Sequence, residues 1–211
     1  MKPRHSRKCC LLLITLIGLS PLSIAALDNL WQGATVTAAS PLIFSAPLAE
    51  AEEMFGAVYG GTEPGNTLFA DGYDAGTVHW VEFNTDQAIT LDAIRLQAAH
   101  DYLYSTYYLR SINHMTLLAK SDGSATYDQV LVDMDITVPY GDQPGNMLTE
   151  YNLLDLQIDL AAQTTARYFR VEFTQAGGTA WGGPRIQELI AIPEPATIGL
   201  LLAGAVLLRK K

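Results

Sequence analysis

The stretch from Ala166 to Thr174, ARYFRVEFT, alternates strictly: Phe169, Val171 and Phe173 share one side, and Tyr168, Arg170 and Glu172 share the other. A period of two is the signature of a strand with one buried face, and no helix of ordinary pitch can hold such a pattern on one side. The same spacing recurs between Asp128 and Pro139. There Val130, Val132, Met134, Ile136 and Val138 alternate with Leu131, Asp133, Asp135 and Thr137. VHWVEFN, ITLDAIRLQA, INHMTLLAK and RIQELIAI are further strand candidates. The connections PYGDQPGN and QAGGTAWGGP are rich in turn residues. The only weak helical signal lies in the Ala-rich opening TAASPLIFSAPLAEAEEMFGA. Many short strands with polar turns predict an all-β sandwich or barrel.

The two ends obey different rules. Lys2, Arg4, Arg7 and Lys8 precede the apolar run Leu11 to Leu19, and small residues lie around Ala25. This order reads as a secretory signal peptide over residues 1–25, with cleavage after Ala25. Cys9 and Cys10, the only cysteines, precede the apolar core. Export therefore leaves no thiol for a disulfide or a cysteine-ligated metal. At the other end, Pro193-Glu194-Pro195 is followed by an apolar run over 196–208 and by Arg209, Lys210 and Lys211. As a helix that run reaches roughly 20 Å, short of the ~30 Å hydrocarbon core, and the cations would stay cytoplasmic.

Motif, apolar helix and basic terminus together resemble the PEP-CTERM sorting signal of Gram-negative bacteria. The resemblance covers residues 193–211. It implies transient anchoring in the inner membrane, processing at Pro193-Glu194-Pro195 by an exosortase-type transpeptidase, and transfer to the cell surface or extracellular matrix. A tail that is removed need hold only briefly, as with other cleaved hydrophobic signals.

Residues 26–192 then form one domain of ordinary length, able to bury roughly 70% of its unfolded surface. Without the two ends, Lys+Arg falls from 13 to 6 and Asp+Glu from 22 to 21, so the net charge becomes −15 rather than −9. Such a surface repels phosphate backbones and anionic lipid, which excludes nucleic acid as an expected partner. Neutral glycans, cationic groups and divalent cations remain.

Within this domain several stretches resemble, in order, the discoidin or coagulation-factor C-type domain, a galactose-binding-like jelly roll. They are Asn29-LWQGATVTAAS, Leu68-FADG, Ile89 to Leu96, Arg110-SINHMTLLAKSDG, Ala166-RYFRVEFT and Gly183-PRIQELIAI. The link between Asp71-Gly72 and Trp80 is shorter than the family's, and the stretch 140–158 is longer. The resemblance implies a jelly-roll β-sandwich, flanked here by signal peptide and sorting helix, with ligand loops gathered at one end.

Two candidate sites follow. ADGYDAGT offers Asp71, Asp74 and Thr77 as oxygen donors of the kind calcium takes. The resemblance adds Glu188 of the last strand as a fourth ligand to a structural calcium. AAHDYLYSTYYLR concentrates Tyr102, Tyr104, Tyr107 and Tyr108 with His100, Asp101 and Arg110. Tyrosine presents a flat apolar ring to the C–H face of a sugar and a hydroxyl to its rim. Trp181, in the Gly-rich segment before the last strand, could close the same site. The bland alternatives are turn residues for the first set and half-buried strand tyrosines for the second.

Nothing marks a catalyst. No G-x-S-x-G, H-E-x-x-H or glycine-rich phosphate loop occurs. His79, His100 and His114 are scattered, and Asp133 and Asp135 read as a charged solvent face. The expectation is a non-catalytic module at the cell surface or in the matrix that binds exopolysaccharide or surface glycan. The rivals are a structural matrix protein acting through its acidic surface and calcium, and a polysaccharide-cleaving enzyme.

Overall fold

A computed structural model describes residues 29–56, 67–70, 74–100, 111–137, 152–176 and 183–193, with backbone alone at 99–100 and 152–153. The elements are β1 (Thr35–Ala39), 3₁₀ turns at Ile43–Ser45 and Leu48–Phe55, β2 (Thr67–Leu68), β3 (Val78–His100), β4 (Ile112–Lys120), β5 (Gln129–Asp135), β6 (Asn152–Gln175) and β7 (Arg185–Ile192). All named strand pairs are antiparallel.

β3 and β6 are too long to lie in one layer, and each carries an irregularity that lets it change sheets. Their register slips between Asn84 and Ile89 and again between Leu91 and Ala93. On one side of this corner the order is β1-β3-β6-β4-β5, through Val78–Asn84 and Tyr168–Thr174. On the other side it is β2-β7-β3-β6, through Ala93–His100 and Asn152–Asp159. The result is the expected all-β jelly-roll sandwich. The segments expected as two strands, 78–84 and 89–98, are two arms of one bent strand.

The alternation seen in the sequence sets the two faces. Phe169, Val171 and Phe173 are fully buried, opposite Met115, Leu117 and Ala119 of β4 and Val81 and Phe83 of β3. The second sheet contributes Ile94, Leu96, Ala98, Ile186, Leu189 and Ala191. Trp31 sits over the layer's edge with its ring centroid 5.3 Å from Phe83, 5.4 Å from Phe169 and 6.2 Å from Phe55, all edge-on. Edge-to-face contacts of this kind add to the area term that burying large rings supplies. On the edge strand β5 Val130 remains exposed, while Val132 and Ile136, just past its end, are buried.

Candidate functional site

Because β3 and β6 double back at the corner, both of their tails finish at one end of the sandwich. The backbone bonds there tie residues far apart in sequence. Gly183 N–H donates to Phe69 O at 2.9 Å, and Phe69 N–H to Pro184 O at 3.1 Å. Gly76 N–H donates to Gln175 O at 2.9 Å, Gln175 N–H to Thr77 O at 2.9 Å, and Ala176 N–H to Ser111 O at 2.9 Å. His100 closes β3 opposite Asn152. The described residues that flank 71–73, 101–110, 138–151 and 177–182 therefore share one end.

The floor of that end is polar and closed. His79, 2% exposed, places Nε2 at 2.9 Å from Oε1 of the fully buried Gln175. A carbonyl oxygen can only accept, so the imidazole donates from Nε2. Burial pushes the His79 pKa down, and the bond to Gln175 opposes it only in part. The ring is thus held neutral, beside Phe69 at 5.1 Å. Gly183 lies against this floor: a Cβ there would meet Ala70 O at 2.7 Å and both His79 Cε1 and Phe69 Cβ at 3.2 Å. Only glycine allows the last strand to start so close to the strand pair beneath it.

At the rim, Phe44 is 93% exposed in the turn Ile43–Ser45. Phe44 and Ser45 have φ of 52° and 56°, a left-handed geometry that costs a non-glycine residue about 1–2 kcal/mol. Phe44 borders an open recess of about 540 Å³ with Ser40, Pro41, Leu48 and Ala70. Phe44 is not among the residues that the sequence motifs mark as candidates. Its signal is an apolar Leu-Ile-Phe between Pro41 and Pro47, too short and too proline-bounded for a buried strand or helix.

The sequence-derived residues are distributed as follows. Tyr102, Tyr104, Tyr107, Arg110, Trp181 and Asp71 lie outside the described residues. Asp74 is exposed and Thr77 half-buried in the turn into β3, where Thr77 N–H donates to Asp74 O at 3.1 Å. Glu188 stands half-buried on β7 opposite Gln97 and acts electrostatically on Arg95, which is bonded to Asp155 on the same outer face. Among the described residues no cluster of three or more His, Cys, Asp or Glu could hold a metal. Among the described residues Asp74 supplies a carboxylate and Thr77 a hydroxyl at the loop end.

Of the processing residues, Ala25, Glu194 and Pro195 lie outside the described set. Pro193 leaves β7 at the end opposite the loop flanks. Asn29 is fastened there too: its Oδ1 accepts from Ala191 N at 2.9 Å and its Nδ2 donates to Leu189 O at 3.0 Å. Among the described residues no helix is long and apolar enough to cross a membrane, and residues 196–208 are not among them.

His114 joins the two aspartates the sequence placed on a solvent face. Its Nδ1 lies 2.8 Å from Asp135 Oδ1 and its Nε2 2.9 Å from Asp133 Oδ1. The bond to Asp135 is the largest cause of its raised pKa; desolvation opposes it, and the bond to Asp133 and both charges add to the rise. Both ring nitrogens are committed to carboxylates, which suits a cross-strand clamp on the edge strand.

No family model matches the chain, and no curated protein matches it. Solved structures do resemble it. CBM32-3 from a family 31 glycoside hydrolase of Clostridium perfringens has a TM-score of 0.50 at 11% identity, over 79% of this chain and 96% of that one. A Ruminococcus gnavus GH29 fucosidase in complex with fucose has a TM-score of 0.49 at 14% identity. The match covers 79% of this chain but 26% of the fucosidase, so the chain spans about a quarter of that enzyme's length. The family 32 carbohydrate-binding module of Streptococcus pneumoniae EndoD has a TM-score of 0.48 at 16% identity, over 79% and 99% of the two chains. At these identities the likeness is one of fold: this chain has the β-sandwich found in such modules.

Proposed function

We propose that the chain is an exported carbohydrate-binding module whose glycan site lies at the loop end of the sandwich. One observation carries the reading. The strand topology brings the flanks of the Tyr-rich segment 101–110, the Trp181 segment and the Asp71 segment to the same end, where Phe44 already stands exposed beside an open recess. Exposed rings next to hydrogen-bonding groups are what a pyranose needs, since rings cover its C–H face and polar groups take its hydroxyls. The solved modules that share the fold are carbohydrate-binding modules by their descriptions, which supports the same reading.

The reading includes the address. The signal peptide exports the chain, and an exosortase-type transpeptidase acts at Pro193-Glu194-Pro195 after transient anchoring through 196–208. Both chain ends leave the domain opposite the glycan site, so a domain held by its tail at the cell surface presents the site outward. A structural calcium held through Asp71, Asp74, Thr77 and Glu188 belongs to the same proposal. Titrating metal-stripped chain with calcium tests it: heat and a rise in Tm are expected, and neither at millimolar calcium removes the ion.

Glycan-array binding by the purified chain tests the function. Binding that is lost in Phe44→Ala, Tyr104→Ala and Trp181→Ala, at unchanged Tm, is the expected result. Calcium-dependent self-association without glycan binding would replace the module with a structural matrix protein. New reducing ends on polysaccharide incubated with the chain would replace it with an enzyme.

A further inference from the structure

At the opposite end of the sandwich, beside the corner, is a second recess of about 260 Å³, lined by Lys120, Arg167, Ser121, Asp122, Gln129 and Thr165 among others. Its composition is unusual for this chain. Residues 26–192 carry only six cations among twenty-one carboxylates; Arg95 is paired with Asp155, and Arg170 with Glu82 and Glu172. Lys120 and Arg167 make no ion pair among the described residues, yet they line the same recess.

Both cations are held in place by contacts that leave their charge available. Arg167 Nε donates to Thr85 O at 3.0 Å, and its guanidinium carbon lies 5.3 Å from the Tyr168 ring centroid. Lys120 Nζ lies 4.5 Å over Tyr127 and 5.6 Å from Tyr168. An aromatic face orients a cation without neutralising it. The remaining donors, Ser121, Gln129 and Thr165, surround the pair. Asp122 adds an acceptor, which suits a hydroxyl and disfavours a bare inorganic anion. Acidic groups farther than about 8 Å from the pair are largely screened at physiological salt, so Lys120, Arg167 and Asp122 set the local field.

We propose that this recess binds the carboxylate of an acidic saccharide, a uronate residue of a polysaccharide, with Lys120 and Arg167 on the carboxylate and Asp122 on a ring hydroxyl. The site stands independently of the loop-end reading. Together the two would let one domain bridge two glycan chains.

Calorimetric titration of the purified chain with galacturonate oligomers, and with sodium acetate, sodium phosphate and neutral glucose oligomers, tests the proposal. Saturable binding of the uronate oligomer is expected, weakening as salt rises, falling at least about fivefold in Lys120→Gln and Arg167→Gln, and restored in part by Arg167→Lys. Arg95→Gln, which removes a cation paired with Asp155 on an outer face away from both recesses, should leave it unchanged, and this separates the recess from a general effect of charge. Three results would overturn the proposal: no uronate binding, uronate binding indifferent to Lys120→Gln, or acetate and phosphate binding as tightly as the oligomer. If Lys120→Gln lowers Tm, Asp122→Ala serves as the second variant and is expected to weaken the oligomer while leaving acetate no weaker.

Discussion

Gly183→Ala puts the architecture of the loop end to a quantitative test. The added Cβ would sit 2.7 Å from Ala70 O and 3.2 Å from His79 Cε1 and Phe69 Cβ. The carbonyl is backbone, so no rotamer change relieves the first contact. The strand pair must separate by a few tenths of an ångström to about 0.7 Å to restore a van der Waals distance. That separation strains the Gly183 N–H to Phe69 O bond, worth about 1 kcal/mol net. Overpacking of this kind costs about 1–3 kcal/mol, so the total is about 2–4 kcal/mol. For a domain of this size each kcal/mol moves Tm by about 2–4 °C, giving an expected fall of about 4–16 °C in thermal unfolding followed by circular dichroism. The same displacement shifts His79 and should weaken glycan binding at temperatures where the variant is still folded. A Tm within about 1 °C of the parent would refute the close approach of β7 to the floor of the site.

Phe169→Ala removes a ring packed 5.4 Å from both Trp31 and Phe83; a loss of about 3–5 kcal/mol in urea unfolding is expected, and less than about 1 kcal/mol would contradict its place at the centre of the core. His79 and His114 predict opposite pH slopes. His79 has a lowered folded pKa, so the unfolded chain binds the proton first and the His79 contribution is lost as pH falls below about 6.5. His114 has a raised folded pKa, so its contribution is complete below about 6.5 and is lost as pH rises through the folded value. His79→Gln should flatten the acid-side decline in Tm, and His114→Ala should remove stability at low pH but not at high pH; the reverse pattern would exclude the assigned environments. Arg95→Ala breaks an exposed pair with Asp155 and should cost at most about 1 kcal/mol, a small Tm change that salt diminishes further.

What the sequence reveals here depends on whether periodicity carries the information. The inward set of β6, Phe169, Val171 and Phe173, and the bounds of β4 and β7 could be read residue by residue, because a half-buried strand must alternate. The continuity of β3 could not, since Thr85-Asp86-Gln87-Ala88 has the composition of a turn and acts instead as the corner where one strand changes sheets. In the arm 152–160, Leu154, Leu156, Ile158 and Leu160 alternate with Asp155, Gln157 and Asp159, but the pattern falls largely within 140–158, the stretch longer than in the resembling family, so no matching strand marks it. The clamp of His114 with Asp133 and Asp135 was invisible for a different reason: cross-strand register decides it, and a one-residue slip would have turned the groups apart. The positions of Phe44 and of the cations Lys120 and Arg167 likewise depend on which strands meet, and local pattern does not encode that.

Amide-resolved NMR titration of the isotope-labelled chain with neutral fragments of a matrix polysaccharide addresses the loop-end site most directly. Shifts that saturate and cluster on Phe44, Ala70, Asp74, Ser111 and Gly183, leaving Lys120 and Arg167 unmoved, are the predicted result. Shifts confined to the corner end, or none at tens of millimolar sugar, would contradict a glycan site at the loop end.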